Sequence, residues 1–214
     1  MLTQRPLRAV LFDWDGTLLD SFRADANAYR QMFRALGVAW GPGTLAKHYS
    51  PDWHNVYRAV KLPVESWAEA DRLWRRFYRA ERPLLQTGAR QVVQTLAGRF
   101  RLGLVSSGSS LRVRSQIRAF GLEPFFSASV FGDKVPHRKP HPMQLQLAIR
   151  ELEVEPRCCV YIGDAPEDVK MARRAGVAVV GVLQHSPVPD RLRESRPNAL
   201  IRTISALPHL LCCG

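Results

Sequence analysis

Short apolar runs alternate along the chain with segments whose apolar residues recur at helical spacing. The runs are rich in Val and Ile and contain few polar residues, which is typical of strands buried on both faces of a parallel sheet. They predict six strands, at residues 8–13, 101–106, 128–131, 158–163, 178–183 and 199–202.

The segments between several of these runs carry apolar residues on one helical face. A helix is predicted at residues 88–97, before Gly98, and another from Ser110 to Gly121, since glycine often follows the end of a helix. Pro142 suits the first position of a third helix, and a fourth is predicted at residues 166–175. Alternation of strands and helices predicts the α/β class, with a parallel sheet covered on both faces.

Residues 21–85 have a different pattern, with many aromatic residues and no strand signal. Trp67, Ala70, Trp74 and Phe77 fall on one face of a helix. We expect these aromatic residues to form a small core of their own rather than a platform for stacking bases. The predicted organisation is an α/β core of residues 1–20 and 86–214, with a helical insertion of residues 21–85 after the first strand.

Composition narrows the possible classes of protein. The chain has 214 residues and is 46% hydrophobic, which is enough for one sizeable core. No apolar run approaches the ~18 residues of a membrane span. Asp13 ends the N-terminal apolar run too early for a signal peptide. We therefore expect a cytoplasmic protein with no membrane partner.

The formal net charge of +12, from 31 Lys and Arg against 19 Asp and Glu, raises the question of a polyanionic partner. The charge is spread along the chain rather than concentrated in a block, so we interpret it as an arginine-rich surface. Cys158 and Cys159 are adjacent, without the CxxC spacing of zinc or redox sites. They open an apolar run and are predicted to be buried thiols.

Polar residues that can do chemistry follow the predicted strands. Asp13 closes the first strand, Ser106 ends the second and Asp164 follows the fourth, while Lys139 lies in a loop before a helix. Because ligands of parallel sheets gather beyond the carboxyl ends of the strands, we expect these residues to converge. Carboxylates gathered there would repel one another unless a cation neutralised them. Oxygen ligands of this charge suit Mg²⁺, with Asp13 and Asp164 as two ligands.

This residue set also suits a phosphoryl dianion. The lysine and the hydroxyl and amide groups of the loop at residues 106–110 can stabilise its charge. A carboxylate can attack phosphorus as a covalent nucleophile. Asp15, two residues after Asp13, is then available to protonate the leaving oxygen and later to take a proton from water.

Four motifs now show a resemblance to a known family. The stretch DWDGTLLDS at residues 13–21, Ser106 after an apolar strand, Lys139-Pro140, and GDAPED at residues 163–168 resemble, in this order, the motifs of the haloacid-dehalogenase-like hydrolase superfamily. The helical insertion resembles the cap of its phosphoglycolate phosphatase and β-phosphoglucomutase branch. The resemblance implies a Rossmann-like, three-layer α/β/α core with a small helical cap.

The resemblance also implies a role for each acid. Asp13 would be the nucleophile and a ligand of Mg²⁺. Asp15 would be the acid/base, and its backbone carbonyl would bind Mg²⁺. Asp164 would bind the metal, and Asp168 would either assist the metal or orient the motif lysine.

Further residues are implied to bind the substrate. Ser106 and the amides of the following residues, Ser107 and Gly108, would bind phosphate. Lys139 would steady both the nucleophile and the phosphate. It is therefore implied to be both a catalytic and a substrate-binding residue.

The sequence therefore predicts a Mg²⁺-dependent phosphatase that hydrolyses a small phosphorylated metabolite through an aspartyl-phosphate intermediate, similar to phosphoglycolate phosphatase. Two alternatives stay open. One is a sugar-phosphate mutase similar to β-phosphoglucomutase. The other is a non-catalytic member of the fold that binds nucleic acid, against which the Asp13 and Asp15 pair argues. The sequence is compatible with a monomer or a homodimer.

Overall fold

The computed structural model describes residues 6–41 and 43–212 of the chain. Its centre is a six-stranded sheet with the strand order β3-β2-β1-β4-β5-β6, in which every neighbouring pair is parallel. The strands are β1 (Ala9–Phe12), β2 (Arg101–Ser106), β3 (Ala128–Phe131), β4 (Cys159–Gly163), β5 (Ala178–Val182) and β6 (Ala199–Ile201). All six predicted strands are present, and the predicted α/β class is confirmed.

Helices connect these strands and follow the last of them. They are α1 (Phe22–Ala35), α2 (Thr44–His48), α3 (His54–Ala59), α4 (Trp67–Tyr78), α5 (Ala89–Ala97), α6 (Ser110–Ala119), α7 (Met143–Glu151), α8 (Pro166–Arg174), α9 (Pro189–Glu194) and α10 (Leu207–Cys212). The placement of Pro142 as the first helical residue is wrong by one position. Pro142 precedes α7, and its carbonyl accepts the hydrogen bond that the Gln146 amide donates at 2.9 Å.

The sheet is buried on both faces, as its unbroken apolar strands predict. Val10 and Phe12 of β1 pack into a core with α5 and α6. Ala9 and Leu11, which point the other way, pack into a second core with α7 and α8. This alternation within one strand produces the three-layer α/β/α arrangement. Cys158 and Cys159 are buried free thiols, as predicted.

Helices α1 to α4 form the cap, which has an aromatic core of its own. Phe33 stacks on Trp40 with ring centroids 4.5 Å apart. Ala70 is buried in this core, and Trp67 and Trp74 of α4 are partly buried against it. The predicted helical face of α4 therefore packs inward.

Two adjacent segments connect the cap to the α/β core. The Asp20 amide donates to the Leu84 carbonyl, and the Gln86 amide donates to the Leu18 carbonyl, both at 2.9 Å. We keep the junctions at residues 20–21 and 85–86 as the proposed domain boundaries, because the chain leaves and re-enters the core there. Within the described residues, no helix is both long and apolar enough to cross a membrane.

Truncating a buried side chain of the central sheet should destabilise the protein. Leu104 of β2 is fully buried, so Leu104→Ala is expected to reduce the free energy of unfolding by about 2–5 kcal/mol through lost burial and a residual cavity. The same change at Leu111, which is 76% exposed, should alter it by less than about 0.5 kcal/mol. Urea denaturation followed by circular dichroism measures both. Equal effects of the two substitutions would contradict the described core.

Candidate active site

The turn after β1 brings the first motif against the fourth. Gly16 adopts φ +81°, and a Cβ atom at this position would lie 2.2 Å from Asp164 Oδ2. Only glycine fits both this backbone conformation and this close approach. The Thr17 hydroxyl donates a hydrogen bond of 2.9 Å to Asp164 Oδ1. The local sequence Gly16-Thr17 thus positions the carboxylate that follows β4.

Three buried carboxylates meet at the carboxyl ends of β1 and β4. One oxygen each of Asp13, Asp164 and Asp168 lies within 4.8 Å of the others. All three residues are buried. Asp164 Oδ2 is buried and has no hydrogen-bond partner among the described residues. The convergence predicted for Asp13 and Asp164 is present in the structure.

Lys139 supplies the positive charge that faces this cluster. Its side chain is fully buried, and Nζ lies 2.8 Å from Asp13 Oδ1 and 3.0 Å from Asp168 Oδ1. Nζ also donates to the Tyr161 hydroxyl at 2.8 Å. Of the two roles left open for Asp168, this geometry favours orienting Lys139.

Burial and mutual repulsion raise the pKa values of Asp13 and Asp164. Burial raises the pKa of Asp13 to about 7, against the attraction of Lys139, and the carboxylate of Asp168 adds to the rise. Burial, with the neighbouring Asp13 and Asp168, also raises the pKa of Asp164 well above its usual range. Burial disfavours the charged form of Lys139, but the two carboxylates beside it outweigh this effect and raise its pKa. With all three carboxylates ionised, the cluster would therefore hold more negative charge than Lys139 alone can balance.

The donor set fits a divalent cation that prefers oxygen ligands. The Asp164 oxygen without a partner is an available ligand, and a cation beside it would relieve the repulsion among the carboxylates. Asp13 and Asp164 would hold such an ion. The Asp15 carboxylate points elsewhere, to Arg112, so the predicted metal contact of Asp15 rests on its backbone carbonyl and stays a prediction.

The second motif forms a compact loop after β2. Ser106 is fully buried, and its hydroxyl oxygen accepts a hydrogen bond of 3.0 Å from the Gly108 amide. The Ser107 hydroxyl has no hydrogen-bond partner among the described residues. Both Ser107 and Gly108 line a cavity that also contains Asp13. Their position fits the predicted phosphate-binding role, which stays a prediction.

This cavity extends from Asp13 in the α/β core into the cap. It has a volume of about 140 Å³, and its floor includes Asp13 and Asp15. Its cap side consists largely of aromatic rings together with a few charged groups. The cap residues include Asp25, Tyr29, Tyr49, Trp53, Tyr57, Asp71, Trp74 and Arg75. A group attached to a phosphate at Asp13 would therefore contact the cap.

Two polar residues of the site were not found from the sequence. Arg112 of α6 makes a two-pronged ion pair with Asp15, at 2.8 and 2.6 Å. Tyr161 contacts Lys139 from the middle of β4. A tyrosine inside a strand of aliphatic residues was a usable signal for Tyr161. No spacing pattern connects Arg112 with a residue 97 positions earlier in the chain.

The chain matches a known protein family over most of its length. The family model described as haloacid dehalogenase-like hydrolase matches residues 10–182. The chain belongs to this family. The four motifs therefore identified the family correctly, and residues 10–182 span the sheet through β5.

Curated relatives agree with the family assignment. This chain is 32% identical over 183 residues to a phosphoglycolate phosphatase of Nitrosospira multiformis, and the match covers 80% of this chain and 81% of the relative. It is 26% identical to the pyrophosphatase PpaX of Bacillus pumilus, covering 96% and 97%. These relatives support the predicted enzyme class, a hydrolase of phosphoric monoesters.

Solved structures confirm the fold. A haloacid dehalogenase-like family hydrolase of Streptococcus pneumoniae superposes with a TM-score of 0.84 at 20% identity, covering 95% of this chain and 98% of the other. The CbbY protein of Rhodobacter sphaeroides, solved in complex with phosphate, gives a TM-score of 0.76 at 23% identity and coverages of 94% and 96%.

Magnesium should stabilise the hydrolase through Asp164. At about 100-fold above its Kd, Mg²⁺ is expected to raise the wild-type melting temperature by about 5–10 °C. Asp164→Asn should lose this shift, because it removes a charged ligand. In EDTA the variant should melt at or above the wild-type temperature, because the substitution also removes a repelling buried charge.

Scanning fluorimetry measures these temperatures. The matched control is Asp190→Asn, whose side chain is 87% exposed and which should respond like the wild type. An unchanged Mg²⁺ shift in Asp164→Asn would show that the ion binds elsewhere.

Proposed function

We propose that the hydrolase is a Mg²⁺-dependent phosphatase of small phosphate monoesters that works through an aspartyl-phosphate intermediate, in the manner expected of a phosphoglycolate phosphatase. The observation that carries the proposal is the environment of Asp13. Its Oδ1 is held by Lys139 at 2.8 Å and by the Trp14 amide at 2.7 Å. The residue also lines the cavity, so a carboxylate oxygen of Asp13 can face a bound substrate.

In the first proposed step, a carboxylate oxygen of Asp13 forms a bond to phosphorus while the bond from phosphorus to the ester oxygen breaks. Asp15 gives its proton to that leaving oxygen, so the product leaves as an alcohol. Lys139, held by Asp13 and Asp168, stabilises the negative charge. The Ser107 hydroxyl, which has no partner within residues 6–41 and 43–212, would donate a hydrogen bond to a phosphate oxygen.

In the second step, water attacks phosphorus and the bond between phosphorus and Asp13 breaks. Asp15 takes the proton from the attacking water, so that Asp13 regains its carboxylate and inorganic phosphate is released. The same acid thus serves both steps with opposite proton transfers. Asp15 also lines the cavity, next to the space that the leaving group would occupy.

A bound Mg²⁺ would neutralise phosphate charge and fix the phosphate relative to the nucleophile. We propose Asp13, Asp164 and the backbone carbonyl of Asp15 as its ligands within the chain. The buried Asp164 oxygen without a partner supports the choice of Asp164.

The relatives favour hydrolysis over the two alternatives. Curated relatives are named phosphoglycolate phosphatase and pyrophosphatase, and no observation on the site favours a mutase or a nucleic-acid-binding protein. We keep a small phosphorylated metabolite as the proposed substrate and the cytoplasm as the proposed compartment. Phosphoglycolate is the first substrate to test, with inorganic pyrophosphate as the comparison.

Replacing the nucleophile should abolish turnover without unfolding the protein. Asp13→Asn is expected to reduce kcat for p-nitrophenyl phosphate in Mg²⁺ by at least about 10³-fold, because an amide oxygen is a poor nucleophile. Colorimetric product release measures the rate, and circular dichroism checks the fold. Asp190→Asn, with its exposed side chain, should retain wild-type activity. Full activity of Asp13→Asn would rule out the covalent role.

A further inference from the structure

Arg112 holds the proposed acid/base in a way that prevents it from acting. Its Nη1 and Nη2 donate to Oδ1 and Oδ2 of Asp15 at 2.8 and 2.6 Å. The two side chains are only 18% and 20% exposed. A guanidinium facing a carboxylate in this way is a strong, geometrically selective pair. Both carboxylate oxygens of Asp15 accept hydrogen bonds from Arg112. This ion pair must therefore break before Asp15 can exchange a proton with a leaving group.

The guanidinium of Arg112 is fixed independently of Asp15. Its Nη1 also donates to Gln116 Oε1 at 3.0 Å, and the same oxygen accepts a hydrogen bond from the Trp14 indole. The guanidinium carbon lies 5.2 Å from the centre of the Tyr78 ring in the cap. These contacts would keep the guanidinium in place after Asp15 leaves.

The loop after β2, at residues 106–110, is shaped around the Arg112 guanidinium. A Cβ atom at Gly108 would lie 2.2 Å from Arg112 Nη2. Because glycine has no side chain, the guanidinium can pack directly against the backbone of the loop. Gly108 and Arg112 both line the cavity that begins at Asp13. The donors of Arg112 therefore lie beside the space where a leaving group would sit.

The other charged residues that line the cavity are compatible with the binding of an anion. Arg75 lines the cap side and adds a positive charge. Asp71 Oδ1 accepts hydrogen bonds of 2.9 Å from both Trp53 and Tyr57. Burial and the nearby Asp15 raise the pKa of Asp25 to about 8, so at neutral pH this carboxyl adds little negative charge.

We propose that Arg112 binds a carboxylate on the leaving group of the substrate, and that the Asp15 carboxylate occupies this subsite when substrate is absent. The substrate carboxylate would replace Asp15 on the guanidinium. The released Asp15 carboxylate would then take up a proton from solvent and give it to the neighbouring ester oxygen. Arg112 would then select phosphate monoesters of small hydroxy acids. The inference deepens the proposed function and depends on it.

The test compares two substrates that differ mainly in the group that Arg112 would bind. One is 2-phosphoglycolate, whose leaving group carries a carboxylate, and the other is 2-hydroxyethyl phosphate, whose leaving group is neutral. For the wild type, kcat/KM should be about 10- to 100-fold higher for 2-phosphoglycolate, the range expected for hydrogen bonds to a charged group. Arg112→Met should abolish this preference, with most of the loss in KM.

Arg114→Met is the matched control on the same helix. Arg114 is exposed and lies over the Phe131 ring, so this variant should keep the wild-type preference. Arg112→Lys retains the charge but loses the two-pronged geometry, and should retain only part of the preference. If Arg112 only stabilised the fold or positioned Asp15, Arg112→Met would slow both substrates equally, and that result would overturn the proposal.

The wild-type ratio is informative even if Arg112→Met does not fold. Equal kcat/KM values for the two substrates in the wild type would also overturn the carboxylate subsite. Hydrolysis of p-nitrophenyl phosphate separates this failure from failure of the proposed function. Turnover of p-nitrophenyl phosphate without a preference between the two substrates refutes the subsite alone, whereas no turnover of any substrate refutes the phosphatase on which it rests.

Discussion

Lys139 is a buried ammonium placed between two buried carboxylates, and the geometry of the site depends on this interaction. Charges are costly to remove from water unless oppositely charged partners compensate them. Lys139 offsets that cost for Asp13 and Asp168 at distances of 2.8 and 3.0 Å. These two contacts do not include Asp164, whose Oδ2 has no hydrogen-bond partner among the described residues. The same arrangement orients Asp13, the proposed nucleophile, and leaves a group of carboxylates whose ionised forms a divalent ion would stabilise.

The fold brings these groups together through backbone constraints. Asp13 follows β1 and Asp164 follows β4, which are paired in parallel, so the two acids emerge side by side. At Gly163 a Cβ atom would lie 2.5 Å from the carboxylate carbon of Asp168, which shows how closely α8 begins against the strand. Much of the precision of the site comes from glycines that permit such approaches.

The sequence was most informative where local patterns determine structure. Apolar runs predicted the strands within one residue or so at each end, and the acids at strand ends predicted their own convergence, because parallel strands share an edge. The helix at Pro142 was placed one residue too early, since proline suits both positions near a helix start. The burial of Lys139 had no local signal, because the flanking sequence is polar.

The pairing of Asp15 with Arg112 shows why other features could not be predicted. It joins the turn after the first strand to a helical residue 97 positions later, and it depends on Gly108 and Tyr78 from two further segments. Each residue alone has an ordinary explanation as a surface or packing group. Their interaction becomes evident only in the three-dimensional structure, where the cap and the loop after β2 lie close together.

The most direct test of this account is a crystal structure with Mg²⁺ and trifluoroberyllate, which mimics a phosphoryl group on a carboxylate. We expect one ion bound by oxygens of Asp13 and Asp164 at about 2.0–2.1 Å. We also expect beryllium bound to an Asp13 oxygen, with Lys139 still in contact with that residue. An ion bound away from these two aspartates, or a beryllium group bound elsewhere than on Asp13, would contradict it.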